Sequence, residues 1–341
     1  MYRLNSGFTL FLSLLVEAIP FLMFGVLVSG LLLLFVDERR LLQILPKHPL
    51  LAALAGSCFG FLFPVCECGN VPVARRLIMQ GASAPVAVGF LLAAPTINPV
   101  VIWATWTAFR DQPEIVVFRV IFSLTIATVV AWVFSAQADL KPFLQPAVAL
   151  AMPKPLVIPP PSQPPLLQTG TFFLDQPGQP LQIDPVTLQA TTMPACPLPD
   201  APKITAWARF RMLLDNSVQE LRELGGVLVL GSLMAALIQV AVPRDIILDL
   251  GQGPVTSVVA MMTLSGVISI CSTVDSFFAL SFASTFTSGA LLAFLVFGPM
   301  FDLKNLGLLL TVFKGRAVFY LFVLISQLAF LLTLFMNFWL S

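Results

Sequence analysis

Apolar residues run along this chain in blocks long enough to cross a bilayer, and what interrupts the blocks is a recurring set of prolines, glycines and isolated polar residues. The first block covers Phe8 to Phe35 and is broken by Glu17, Pro20, Gly25 and Gly30; the polar, basic stretch from Asp37 to His48 then predicts a loop. A second block runs from Leu50 to Phe63 and stops at Pro64, short of the roughly 20 residues needed to cross about 30 Å of hydrocarbon. Further spans are predicted from Pro85 to Phe109, across a break at Pro95, Asn98 and Pro99, and from Ile115 to Ser135. The segment Asn70 to Ala84 carries Arg75 and Arg76, each costing about 2.5 to 3.5 kcal/mol at the centre of a lipid-embedded helix. It therefore reads as a half-helix buried against protein. The alternating short strands of a barrel are absent, so helical spans are expected.

From 137 to 202 the pattern stops. Prolines recur (Pro153, Pro155, Pro159 to Pro161) and no helical period persists, which marks a linker of extended polyproline geometry, with a short strand conceivable at Thr171 to Leu174. Membrane sequence resumes at Leu221 and repeats the first half. Glu17 and its Gly-containing span correspond to Glu220 or Glu223 followed by Gly225, Gly226 and Gly231, and Cys66 corresponds to Cys271. Phe90 to Val100 matches Phe294 to Lys304, with Pro95 on Pro299 and Asn98 on Asp302, each 204 positions apart. The shared features are helix breakers and polar residues rather than the apolar background. The expected architecture is thus an all-α integral membrane protein of two repeated halves, residues 1–136 and 203–341, with about eight full spans plus short broken or re-entrant helices.

If the short central segments count as membrane elements, each half has five and the halves are inverted; if they only loop, each has four and the halves are parallel. The basic residues favour the inverted 5+5 arrangement. It gathers Arg39, Arg40, Lys47, Lys203, Arg209, Arg211, Arg222, Lys304, Lys314 and Arg316 on the cytoplasmic side and leaves Arg110, Arg119 and Arg244 outside.

Composition agrees with this reading: 341 residues, 58% hydrophobic, 10% charged, mean hydropathy +0.94, against about 25% charged in an ordinary soluble domain. A net charge of +1 without a basic patch excludes nucleic acid as a partner. The first block is too long for a signal peptide and is expected as a retained span. Five cysteines, three of them between Cys58 and Cys68, do not form a secreted disulfide framework. His48, the single histidine, lies in a loop, so neither a His-rich metal site nor a Ser/His/Asp triad can be assembled in the core.

Chemistry concentrates between Phe61 and Val101. Cys66 and Cys68 are two apart and would point about 200° from one another on a regular helix, but Pro64 and Gly69 invite an unwound segment in which both sulfurs converge. Soft thiolates suit trivalent arsenic, Cu(I) or Zn(II), which makes Cys66 and Cys68 candidate metal ligands, and Glu67 adds a carboxylate. Asp275 follows Cys271 by one helical turn and with Ser272, Thr273 and Ser276 forms the counterpart of the Cys66 to Asn70 cluster. Asn98 and Asp302 each follow a proline by three residues, where they either contact substrate or cap a broken helix. Arg75 and Arg76 either pair with Glu67 or Asp275 or reach the interface. The candidate substrate-binding set is therefore Cys66, Glu67, Cys68, Asn70, Asn98, Cys271, Asp275 and Asp302. Intramembrane carboxylates are functional candidates by default, so Glu17, Glu67 and Asp275 are the expected proton-coupling groups. Cys58, about two helical turns before Cys66, reads as helix packing, Glu220 as interfacial, and Cys196 as an inert thiol.

Duplicated bundles with short, Gly/Pro-interrupted segments at matching positions point to a secondary transporter with its site near the midplane. At the segment Cys66 to Arg75, the run Gly81 to Val100 and the run Phe294 to Asn305, the sequence resembles a family of bacterial predicted permeases that includes organoarsenical efflux permeases. The resemblance covers roughly residues 5–135 and 205–340. Members typically carry Cys-Ser-Cys-Gly at the cysteine pair, and Glu67 departs from that pattern by adding a charge. The resemblance implies a multi-pass inner-membrane permease.

The expected function is gradient-driven efflux of a small thiol-reactive solute such as a trivalent organoarsenical, since the chain has no nucleotide-binding loop. A transporter of a metal ion such as zinc, or a membrane subunit acting through a partner, are the alternatives. An enzyme is not expected, because no base and orienting group accompany the thiols. No cofactor is called for; the expected partners are a small-molecule or ion substrate and the bilayer, with a second copy of the chain left open.

Overall fold

A computed structural model describes residues 2–35, 46, 48–62, 66–135, 141–151, 206–241, 253–283 and 285–339. Residues 1–153 and 211–341 form one compact unit. The described part is all helical apart from one isolated antiparallel bridge between Leu144 and Phe313. The elements are α1 (Tyr2–Phe35), α2 (Pro49–Phe59), α3 (Glu67–Met79), α4 (Ala84–Ile97), α5 (Pro99–Ala108), α6 (Pro113–Ser135), α7 (Pro146–Ala151), α8 (Ala206–Ala241), α9 (Pro254–Ile268), α10 (Asp275–Leu280), α11 (Ser288–Met300), α12 (Leu303–Val312) and α13 (Gly315–Trp339).

Among the described residues, five stretches are long and apolar enough to cross a membrane: Gly7–Gly30, Ala84–Ala108, Pro113–Ser135, Ser288–Val312 and Gly315–Trp339. Fewer elements meet that standard than the eight spans expected from sequence. The short apolar helices α2 and α9 have 11 and 15 residues, and α8 carries Asp215, Glu220, Arg222 and Glu223 along its length.

The order of elements in α1 to α6 recurs in α8 to α13: a long helix, a short apolar one, a short one begun by an acidic residue, a proline-containing one, a ten-residue capped one and a long closing one. Within each series the second, fourth and sixth helices pack on one another. Between the series the contacts are exchanged. α3 of the first half lies against α12 of the second, and α10 of the second lies against α5 of the first.

Close backbone approach holds the first half together. A Cβ on Gly25 of α1 would stand 2.3 Å from the Gly69 carbonyl oxygen of α3, and one on Gly56 of α2 would stand 2.3 Å from the Val86 carbonyl oxygen of α4. In a membrane, where apolar burial between helices drives little, such small-residue contacts let backbones meet and dispersion act.

The two central spans are broken in the same way. Asn98 has ψ 154 and Asp302 ψ 172, both extended, which ends α4 and α11 and starts α5 and α12. Pro99 supplies no N–H at the first position of α5, where none is needed. Each break is capped from within: Asn98 Oδ1 accepts from Val101 N at 2.8 Å, and Asp302 Oδ1 accepts from Asn305 N at 2.6 Å.

Residues 141–151, at the start of the expected linker, dock on the helical unit. Gln145 N donates to Val312 O at 2.9 Å, Lys314 N donates to Phe143 O at 2.7 Å, and Leu144 and Val148 are buried. The remainder of the linker to 202, including the expected strand at Thr171 to Leu174 and Cys196, lies outside the described residues, as does the basic loop at Arg39 and Arg40.

Candidate substrate site

The two halves meet where their short helices begin. Cys66 is the N-cap of α3, extended at ψ 179, and its carbonyl accepts from Gly69 N and Asn70 N at 3.1 Å each. Cys271 stands at the corresponding place before α10, its carbonyl accepting from Val274 N at 2.9 Å and Asp275 N at 3.0 Å. With both backbones occupied in starting helices, the side chains turn inward. The thiol of Cys66 turns toward that of Cys271, and Cys68 lies in the first turn of α3. The Sγ atoms of Cys66 and Cys271 and a carboxylate oxygen of Glu67 all lie within 4.8 Å of one another. All four residues are buried, and none of the cysteines is in a disulfide. The unwound segment expected at Pro64 and Gly69 is not what forms: Pro64 lies outside the described residues, Cys68 and Gly69 are in the first turn of α3, and it is Cys271 from the other half that meets Cys66.

Charge gathers around the thiols. Glu67 is 1% exposed and its Oε2 has no hydrogen-bond partner among the described residues. Lys304 on α12, also 1% exposed, lies in the field of Cys68, Glu67, Asp302 and Glu17, yet no carboxylate among the described residues is within 4.0 Å of it. Glu17 on α1 points a buried, unpartnered Oε1 inward and acts electrostatically on Cys271 and Lys304. Asp302 Oδ2, Asn70 Oδ1 and Ser272 Oγ are buried without partners among the described residues too. Buried polar atoms are normally paired. A concentration of unpaired ones beside three thiols is what a site for a polar or soft-metal guest requires.

The other sequence-predicted residues fall into three positions. Asn70 donates from Nδ2 to Leu91 O, tying α3 to α4. Asn98 uses its side chain on the helix break, with Nδ2 donating to Ala94 O at 3.2 Å as well as the cap; of the two readings open for it, capping has its bonds on the page. Asp302 caps with one oxygen and leaves the other toward the interior.

Asp275 lies in a separate polar cluster at the contact of α10 with α5 and α6. Its Oδ2 accepts from Arg119 Nη2 at 2.8 Å, and Arg119 Nη1 reaches Oδ1 at 3.3 Å, Ser276 Oγ at 2.8 Å and Thr105 Oγ1 at 2.8 Å. Arg119, expected at an outer membrane face, is instead 1% exposed inside the unit. Burial of a guanidinium is costly unless paired and hydrogen-bonded, which this one is. Arg75 pairs at 3.0 Å with Glu223 of α8, not with Glu67 or Asp275. Glu220, one turn earlier on α8, accepts from Ser29 of α1 at 3.0 Å. Cys58 is exposed on α2 and takes no part.

Sequence reasoning missed Lys304 and Arg119 as site residues by using them as markers of membrane side. A signal was present: Arg119 sits seven positions into the apolar run Pro113–Ser135, and Lys304 follows the second break directly. The rule applied to Glu17, that an intramembrane charge is functional until shown otherwise, covers both.

Comparison with known proteins bears on what such a site belongs to. A family model described as Predicted permease matches residues 3–338. A Bacillus subtilis (strain 168) protein named "UPF0718 protein YcgR" is 35% identical over 319 residues, covering 94% of this chain and 92% of its own. A Streptococcus mutans serotype c protein named "Putative two-component membrane permease complex subunit" is 29% identical over 309 residues, covering 91% of this chain and 87% of its own. No solved structure matches.

Proposed function

Since the chain belongs to the predicted permease family, a group of multi-pass membrane proteins, we propose that it is a secondary transporter of a soft, thiol-seeking solute, with Cys66, Cys68, Cys271 and Glu67 as the contact. The observation that carries this reading is the convergence of two sulfurs and a carboxylate from opposite halves within 4.8 Å. Thiolate sulfur selects soft acceptors, so trivalent organoarsenicals or a thiophilic metal ion such as Zn(II) are the cargo classes that fit. Two sulfurs and an oxygen also match the donor types of zinc sites.

The transport step follows from the duplicated architecture. Ligands come from the first turn of α3 and the residues before α10, one from each half, so a rocking of the halves opens the pair to one side or the other around a fixed site. Glu67, buried beside the thiols, and Glu17, half-buried with one carboxylate oxygen turned inward, are the groups that carry the coupling proton: a thiol must lose its proton to bind a soft cation, and a carboxylate accepts it. Asp275, held by Arg119, serves as the tie between α10 and α6 and exchanges a proton only if that pair opens. The inverted arrangement of the halves, gradient-driven efflux and placement in the inner membrane belong to this proposal.

Flux in proteoliposomes tests it. Methylarsenite, arsenite and Zn(II) are offered with and without a pH gradient to wild type and to the Cys66→Ser/Cys271→Ser variant. Flux of one solute that is lost in a folded double variant supports the reading. Equal flux in the variant removes the thiols from the mechanism.

A second reading is favoured by the streptococcal relative, whose printed name makes it a subunit of a two-component complex. Under it the chain transports only with a partner protein. Co-purification of one membrane partner, and flux that appears only when both are reconstituted, would establish that form.

A further inference from the structure

Cys66 and Cys271 occupy equivalent places in the two halves, each at the start of a short helix whose first N–H groups its carbonyl accepts. They are 205 positions apart in sequence, yet their sulfurs lie within 4.8 Å of one another. Both are free thiols. Cys68, in the first turn of α3, is not among the residues whose atoms meet there, and Cys58 is exposed on α2. Two free thiols this close, from opposite halves, can do more than hold a guest.

A disulfide needs its sulfurs at about 2.0 Å. From 4.8 Å or less, that is an approach of at most about 3 Å, and exchanging one staggered χ1 rotamer for another moves a cysteine sulfur by roughly that distance. A carboxylate oxygen of Glu67 belongs to the same set and is placed to take the proton of the attacking thiol.

We propose that Cys66 and Cys271 are a redox pair: hydrogen peroxide joins them in a disulfide between the halves, which withdraws both sulfurs from the cargo until a dithiol reopens the site. One thiolate attacks the peroxide, its S–O bond forming as the O–O bond breaks. The products are a sulfenic acid and, with the proton held by Glu67, water. The second sulfur then displaces the sulfenic oxygen: the S–S bond forms, the S–O bond breaks, and the oxygen leaves as water with that thiol's proton. Two electrons and two protons pass from the thiols to the peroxide, which ends as two waters. A dithiol reverses the bond by exchange and is itself oxidised to a disulfide. The bond follows from the geometry of the pair alone; its effect on cargo rests on the transport reading.

The test treats the full chain in detergent micelles with hydrogen peroxide, raised until the exposed Cys58 is oxidised. Remaining thiols are then blocked with N-ethylmaleimide in denaturant, and peptides from a non-reducing digest are mapped by mass spectrometry. The expected result is a Cys66–Cys271 cross-linked peptide that dithiothreitol removes. It is absent in Cys66→Ser and in Cys271→Ser and persists in Cys68→Ser. Mapping of the wild type decides by itself should a variant fail to fold. Cys66 and Cys271 recovered as free thiols beside an oxidised Cys58, both recovered as sulfinic acids, or either bonded to any other cysteine overturns the proposal. In parallel, Cd(II) is offered to the oxidised and re-reduced protein: its sulfur-to-metal charge-transfer band is lost on oxidation and returns with dithiothreitol. A cross-link in protein that shows neither Cd(II) band nor flux when reduced upholds the bond and removes the transport reading. Flux in protein that forms no cross-link does the reverse.

Discussion

Arg119 and Asp275 face each other across 2.8 Å inside the protein, 156 positions apart in sequence, with Thr105 and Ser276 bonded to the same guanidinium. The pair joins α6 of the first half to α10 of the second. Removing one member leaves the other as an uncompensated buried charge, which costs about 3 to 5 kcal/mol, whereas replacing both with apolar residues of similar volume is close to neutral. Arg119→Met is therefore expected to unfold far more readily in micelles than Arg119→Met/Asp275→Leu. Equal loss in both would show that the pair is not the source of the stability.

The thiol cluster predicts a spectroscopic result independent of flux. Cd(II), a soft stand-in for the cargo, is expected to give a sulfur-to-metal charge-transfer band in the wild type. The band should fall in Cys66→Ser and in Cys271→Ser, because their sulfurs belong to one 4.8 Å cluster. Cys58→Ser should leave it unchanged, since Cys58 is exposed on α2. A band insensitive to Cys271→Ser would mean that the two halves do not share a ligand.

Asn98 and Asp302 invite a comparison between capping and binding. Asn98→Ala removes an acceptor at the start of α5 and should cost about 1 kcal/mol, the usual worth of an N-cap. Asn98→Asp keeps the cap acceptor but loses the Nδ2 bond to Ala94 O and sets a buried carboxylate against that carbonyl, so it should not restore that stability. Asp302→Asn keeps the cap on Asn305 N but removes the charge beside Lys304, so it should fold normally and alter flux. Thermal unfolding read alongside proteoliposome flux separates the two roles. A stable, fully active Asp302→Asn would reduce Asp302 to a cap.

Glycines of the two long helices should respond in opposite ways to the same substitution. Gly25→Ala drives a Cβ to 2.3 Å from the Gly69 carbonyl oxygen, backbone that cannot step aside, and should cost about 1 to 3 kcal/mol by overpacking. It also displaces the first turn of α3, which carries Glu67 and Cys68. Gly225→Ala and Gly226→Ala meet nothing within 4 Å on α8 and should be neutral or stabilise by about 0.4 to 1 kcal/mol. Unfolding of the three variants in the same detergent checks the contrast.

The apolar blocks were enough to place the central and closing spans, because every backbone group in lipid must be bonded within its own segment and only a long helix does that. The repeat was legible for a related reason. Pro95 and Pro299, with Asn98 and Asp302, break helices by local backbone chemistry, and local chemistry is written in adjacent residues. The sequence reading put Cys66, Glu67 and Cys68 in an unwound segment before a half-helix from Asn70; the helix instead starts at Glu67 and leaves only Cys66 outside it.

What lay beyond it was pairing. Whether Cys271 faces Cys66, whether Arg119 meets Asp275 or Arg75 meets Glu223, depends on which short helix of one half lies against which helix of the other. Residues that mark a membrane side in a linear reading are drawn inward: Arg119 by its pair with Asp275 of the opposite half, Lys304 into the field of Glu67 and Glu17. A chain by itself determines its helices and their breaks; the exchange of α3 onto α12 and α10 onto α5, a long-range packing choice, decided which charges and thiols became one site.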